Sequence, residues 1–277
     1  MKLLWCIASL FLSSCVTVPS FEERRRFADE LAALHGWRSI SLDAGKFDLM
    51  AYLPSVRTPG IALTIFLEGD GYAWIDRNQP SFDPTPRDPV ALRLALAHQD
   101  GNVAYLGRPC QYIDAELFKC SRLYWTEERF APEVISATAD AIDILKQKFG
   151  ASRLILVGYS GGGAVATLVA ARRNDIEQLV TVAGNLDHRA WTSHHRITPL
   201  VGSLNPADQQ DALREVAQWH LVGANDANIT PEIVQGFANR FPQHRRPVVT
   251  VVTGFDHRCC WAENWAAIWR QRVIGSR

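Results

Sequence analysis

The sequence predicts an α/β fold, with a mostly parallel central sheet and helices on both faces. Six short apolar runs recur along the chain: "IALTIFLEG" (61–69), "NVAYLG" (102–107), "RLILVGY" (153–159), "QLVTVAG" (178–184), "WHLVGA" (219–224) and "PVVTVVTG" (247–254). They are continuous rather than alternating, as strands covered on both faces are. Helical patterns separate most of them, which is the rhythm of parallel crossovers. The chain has 277 residues, of which 47% are hydrophobic and 21% charged. That is enough for one large domain with a sizeable core.

The elements follow in order. Met1-Lys2 is a short positive start, and "LLWCIASLFL" (3–12) is an apolar run too short to span a bilayer. It reads as the h-region of a secretion signal. The "LSSC" that follows (12–15) resembles the lipobox of bacterial lipoproteins. That resemblance implies a leader over residues 1–14, lipidation of Cys15 and a membrane anchor there. Val16 rather than Asp follows the cysteine, which by the same resemblance implies the outer membrane, facing the periplasm. Residues 15–277 read as a single domain. Phe21 to Gly36 reads as an amphipathic, charged helix. Trp37 to Pro54 alternates weakly around Asp43-Ala44-Gly45, a hairpin signal. Helices are expected over 89–98, 132–149, 162–172, 231–241 and 261–273.

Two stretches break the rhythm. "DRNQPSFDPTPRDP" (76–89) is rich in Pro and Asp, and residues 187–214 form a long insertion between two strands. Long connections in compact folds are often functional. With 29 basic and 29 acidic residues the formal charge is zero, and there is no long basic run, so no nucleic-acid partner is implied.

Export implies an oxidising compartment. Cys110, Cys120, Cys259 and Cys260 allow three pairings. Cys110–Cys120, closing a short loop, is the expected bridge. Cys259–Cys260 would need a strained vicinal ring, so those two are expected to be free or differently paired.

The "GYSGG" at 158–162 fits G-x-S-x-G between a strand and a helix. A sharp turn there lifts a serine hydroxyl above the sheet's carboxyl edge. Glycines on either side remove side-chain clashes. The helix behind aims N–H groups at developing negative charge.

With this elbow on this scaffold, the chain resembles the α/β-hydrolase family over nearly all of residues 15–277. The family's chain order is Ser, acid, His. Asp226 in "VGANDANITP" lies just past the next-to-last strand, and His257 in "TGFDHRCCW" lies past the last. The resemblance implies Ser160 as nucleophile, His257 as general base and then acid, and Asp226 as the group orienting the imidazole. Asp187, after the preceding strand, is the alternative acid. "GxxD" followed by Thr230-Pro231 favours Asp226.

The resemblance also implies an oxyanion hole from the N–H groups of Gly161 and Asp70. "EGDG" (68–71) stands where many relatives carry His-Gly-x-Gly. A carboxylate on the donor residue would oppose an oxyanion unless it is paired, and Arg108 is the expected partner. Asp256 reads as a loop residue. Tyr72, Trp74 and Tyr159 read as pocket walls or packing, and Tyr124, Trp125 and Phe130 as core. His188, His194, His195 and His220 read as surface or packing, because "SHH" lacks the metal-binding spacing with a glutamate. No metal or other cofactor is expected.

The expected function is cleavage of an ester or related acyl bond in a small-molecule substrate, through an acyl-enzyme. The same residues would serve a peptidase, thioesterase or acyltransferase, and the fold alone would serve a non-catalytic envelope binding protein.

Overall fold

A computed structural model describes residues 18–57, 60–114 and 120–271. The leader and Cys15 lie outside them. Eight strands form one mixed sheet: β1 (Trp37–Ala44), β2 (Phe47–Pro54), β3 (Ala62–Leu67), β4 (Asn102–Leu106), β5 (Arg153–Tyr159), β6 (Ile176–Val182), β7 (Gln218–Gly223) and β8 (Val248–Val252). Their spatial order is β1-β2-β4-β3-β5-β6-β7-β8. β2 runs antiparallel to both of its neighbours, and β3 to β8 pair in parallel.

Among the described residues seven α-helices accompany the sheet: α1 (Phe21–Ala33), α2 (Val90–Ala97), α3 (Pro132–Phe149), α4 (Gly161–Ala170), α5 (His188–His195), α6 (Pro231–Ala238) and α7 (Trp261–Arg270). α1 starts where Ser20 and Glu23 form a reciprocal capping box. Pro132 opens α3, where a missing N–H costs no intrahelical bond. No helix among the described residues is long and apolar enough to cross a membrane.

Strand alternation divides the core in two. Leu154 and Leu156 of β5 face α3 and α4, with Val134, Ile142 and Val165 packed against them. Ile155, Val157 and Tyr159 face the other way, towards α1, α2 and α7, where Trp261 and Trp265 are fully buried. Sequence periodicity thus becomes a three-layer sandwich with the carboxyl ends of β3 to β8 along one edge.

Three expectations change. β8 is not a doubly covered strand. It is the last in the sheet, and Val248 and Val251 stay about half exposed (46% and 48%). The insertion at 187–214 is partly helical, because Asp187 caps α5 by accepting the N–H groups of Arg189 and Ala190. Cys259 and Cys260, expected to be free or paired elsewhere, are bonded to each other across a cis peptide that holds their Cα atoms 3.2 Å apart. Cys110 and Cys120 are joined, with Cα atoms 5.9 Å apart.

Candidate active site

Ser160 stands between β5 and α4 with φ 51° and ψ −120°. A side chain at positive φ is strained, and such a conformation persists only where its surroundings fix it. Here the N–H of Ser160 donates to the Val182 carbonyl (3.0 Å). Its own carbonyl accepts from Gly163 (2.9 Å) and Asn185 (3.0 Å). The turn also needs a bare residue at 162, because a Cβ there would lie 2.3 Å from the Leu67 carbonyl oxygen.

Two later strands bring the partners. Asp226 follows β7 and His257 follows β8. Ser160 Oγ lies 3.0 Å from His257 Nε2, and His257 Nδ1 lies 2.9 Å from Asp226 Oδ2. The Asp226 carboxylate is fully buried. Its other oxygen accepts the N–H groups of Asn228 and Ile229, both at 2.8 Å. The histidine loop is pinned by Tyr159, whose hydroxyl donates to the His257 carbonyl (3.0 Å). Asp256 is a loop residue, accepting from the N–H groups of Arg258 and Cys259. An imidazole that gives its Nδ1–H to a carboxylate has its Nε2 lone pair free to take a hydroxyl proton.

Asp187 sits elsewhere. Besides capping α5, it accepts from Asn205 Nδ2 (3.0 Å) and Arg240 Nη2 (2.7 Å). Burial favours the neutral acid, but these partners outweigh it and hold the carboxyl below its usual range.

The loop after β3 carries Asp70 over the start of α4. A Cβ on Gly161 would lie 2.0 Å from Asp70 Oδ1, so the position after Ser160 is restricted to glycine by this carboxylate. The N–H of Gly161 is among the helix-terminal donors that have no intrahelical acceptor. Asp70 is paired twice, to Arg108 Nη1 at 3.2 Å and Arg129 Nη1 at 2.6 Å. Arg108 was expected from the sequence and Arg129 was not. Both guanidiniums are buried, 5% and 6% exposed. Burial alone would raise the Asp70 carboxyl, yet Arg129 and Arg108 hold it below its ordinary value. The carboxylate beside Gly161 is therefore neutralised by two guanidiniums.

Glu68, the residue standing in for histidine, is 2% exposed. It accepts from the N–H groups of Gly69 (3.0 Å) and Ala91 (3.3 Å) and from the Tyr105 hydroxyl (3.1 Å). Burial outweighs these bonds and pushes its carboxyl up to about 7. Between the ordinary carboxyl range and that value the folded chain keeps a proton that the unfolded chain has released. The contribution to stability is therefore full at low pH and is lost as pH rises through 7. At about 1.4 kcal/mol per unit, the loss is roughly 3 kcal/mol. Glu68→Gln is expected to stabilise the protein at pH 8 relative to wild type and to change it far less at pH 4.5. Urea unfolding at both values checks this, and an equal difference at the two would contradict it.

His188, His194, His195 and His220 lie outside the Ser160–His257–Asp226 chain. His220 is fully buried and hydrogen-bonded to Thr181 (2.9 Å), and burial drives its imidazole down to about 3. His188, the first residue of α5, is buried, His194 is exposed, and His195 reaches the Asn228 carbonyl (2.7 Å). A cavity of about 510 Å³ opens between α5 and the chain after it, lined by His188, Thr192, Ile197, Leu200 and their neighbours. None of Ser160, Asp226 or His257 lines it. Trp74 is 39% exposed, whereas Tyr159 is buried against the imidazole ring (5.5 Å between centroids). Trp125 and Phe130 are buried.

Comparison with known proteins agrees with this architecture. No family model matches the chain, and no curated protein does. Solved structures do. Est1E from Butyrivibrio proteoclasticus superposes with a TM-score of 0.59 at 13% identity, over 84% of this chain and 96% of its own. The fold is the α/β-hydrolase fold. The Pyrococcus furiosus esterase matches with a TM-score of 0.56 at 14% identity, over 86% of this chain and 88% of its own. Naproxen esterase (carboxylesterase NP) from Bacillus subtilis matches at 0.55 and 9% identity, over 92% and 98%. On an α/β-hydrolase fold, Ser160, Asp226 and His257 stand at the carboxyl edge of the sheet, where such folds place their ligands.

Proposed function

We propose that this chain is a serine hydrolase of the cell envelope that cleaves a carboxylic ester. The observation carrying the reading is the continuous relay from Ser160 Oγ to His257 (3.0 Å) to the buried Asp226 (2.9 Å), starting from a strained strand-to-helix turn. Two of the compared proteins, from Pyrococcus furiosus and Bacillus subtilis, are named esterases, which supports the choice of bond.

In this reading the Ser160 hydroxyl attacks the ester carbonyl as its proton passes to His257 Nε2. The carbonyl oxygen becomes an oxyanion facing the N–H groups of Gly161 and Asp70. His257 returns the proton to the leaving alcohol, giving an acyl-serine. Water then attacks, again giving its proton to His257, and the acid leaves as Ser160 is restored. Asp226 keeps the imidazole in the tautomer that accepts at Nε2. Arg108 and Arg129 keep Asp70 from repelling the oxyanion.

The test is a panel of acyl esters, thioesters and aminoacyl amides with wild type and Ser160→Ala. Ester turnover is expected to fall at least about 10⁴-fold in the variant. Turnover within tenfold of wild type would remove the reading. Envelope location rests on Cys15, outside the described residues. In cells fed labelled palmitate the full chain is expected to incorporate label and Cys15→Ser to lose it. An unlabelled wild type would remove the anchor and leave the hydrolase reading standing.

A further inference from the structure

We infer that Asn228 is a positioning residue for His257, and that Trp191 on the insertion helix α5 locks it in place. This deepens the serine-hydrolase reading and rests on it. Asn228 stands two residues after Asp226, and all four of its polar groups are engaged. Its N–H donates to Asp226 Oδ1 (2.8 Å), and its carbonyl meets His195 Nε2 (2.7 Å). Trp191 Nε1 lies 3.1 Å from its Oδ1, and its Nδ2 lies 3.1 Å from His257 Nε2. Two bonds go to the Asp226–His257 pair and two go to α5.

The chemistry fixes which way the amide points. An indole N–H only donates, so the amide atom it meets is the oxygen. The NH₂ group therefore faces His257. An amide NH₂ also only donates, so His257 Nε2 must be the acceptor, and the ring proton sits on Nδ1 against Asp226. Asn228 thus favours the tautomer with its proton on Nδ1, and shares the single Nε2 lone pair with the Ser160 hydroxyl. Trp191 keeps the amide from turning its oxygen towards the ring. The same indole lies beneath the Arg129 guanidinium (5.7 Å), which is the partner of Asp70. One insertion side chain thereby braces both the base and the oxyanion loop.

The arrangement also directs the proton. Once Ser160 Oγ bonds to the acyl carbon, its proton is on Nε2 and needs an acceptor. Among the described residues that nitrogen touches Ser160 and Asn228. Asn228 turns an N–H group to Nε2 and cannot take the proton, which leaves Ser160 Oγ as its acceptor in the back reaction and the leaving oxygen in the forward one, as the C–O bond breaks.

The test is kcat and KM on one ester for the full chain as wild type, Trp191→Phe, Asn228→Ala, the double variant and Asn228→Asp. Asn228→Asp places an acceptor where the proton must not stop, and is expected to lower kcat about 100-fold with KM within about threefold. Trp191→Phe keeps the ring over Arg129 but removes the donor. It is expected to cost about fivefold in kcat, the scale of one neutral hydrogen bond, and nothing further in the Asn228→Ala background. A Trp191→Phe loss equal in both backgrounds, or wild-type kcat in Asn228→Asp, overturns the inference while the hydrolase reading stands. Should Asn228→Asp fail to fold, the Trp191–Asn228 cycle decides alone. Ester turnover that survives Ser160→Ala brings down the parent reading instead, and this inference with it.

Discussion

Asp226→Asn is expected to lower kcat on an ester about 10⁴-fold, while Asp187→Asn leaves kcat within about threefold. The asymmetry follows from what each carboxylate holds. Asp226 Oδ2 accepts the Nδ1 proton of His257, and Oδ1 accepts two backbone N–H groups. An asparagine keeps its oxygen on the backbone donors and turns its NH₂ to the ring. Nδ1 must then accept, the proton moves to Nε2, and the base no longer receives the Ser160 proton. The fold is expected to survive, because the shape is unchanged. Asp187 instead caps α5 and pairs with Arg240. Asparagine still caps a helix, so Asp187→Asn loses chiefly the charge that pairs with Arg240, and its effect falls on stability. Steady-state kinetics and thermal melts on both variants separate the two roles. Equal kcat losses would contradict the assignment.

Arg129→Met carries the second large effect. It removes one of the two buried cations that neutralise Asp70 beside Gly161. Breaking a buried pair from one side typically costs about 3–5 kcal/mol. Asp70 keeps Arg108 and some solvent access (its side chain is 21% exposed), which places this site at the lower end. For variant protein that remains folded, kcat is expected to fall about 100-fold or more, the scale of a lost oxyanion stabiliser. Adding Asp70→Asn to Arg129→Met leaves the buried Arg108 without its anion and is expected to cost further stability relative to Arg129→Met alone. Urea unfolding and kcat measure the two effects independently. A folded Arg129→Met with kcat within threefold of wild type would mean that the cluster is structural only.

The parts of this architecture that are local were legible in the sequence. Buried strands wrote themselves as continuous apolar runs, and Ser160 stood out because a strand-to-helix turn needs glycine at 158 and 162. Asp226 and His257 could be located because each follows a strand, and strand order fixes which loops meet at the edge. What stayed hidden depends on loops whose placement is decided by packing. Arg129 sits in a stretch that reads as core, and its approach to Asp70 is set by the turn at Arg122–Trp125 and by Thr126, whose carbonyl accepts its Nε. No spacing in the sequence connects Arg129 to Asp70, 59 residues earlier. Asp187 illustrates a different limit. An aspartate after a strand reads equally as an acid or as a helix cap, and only recognition of α5 separates the two. Trp191 and Asn228 are 37 residues apart in the chain, and no spacing rule connects them.

The account stands or falls on the reactivity of one hydroxyl. The most direct measurement treats the full chain with a fluorophosphonate probe, digests it and maps the adduct by mass spectrometry. A single adduct is expected, on the peptide containing Ser160, and none in Ser160→Ala. Absence of labelling in wild type under conditions that label an established serine hydrolase, or an adduct on a different serine, would contradict it.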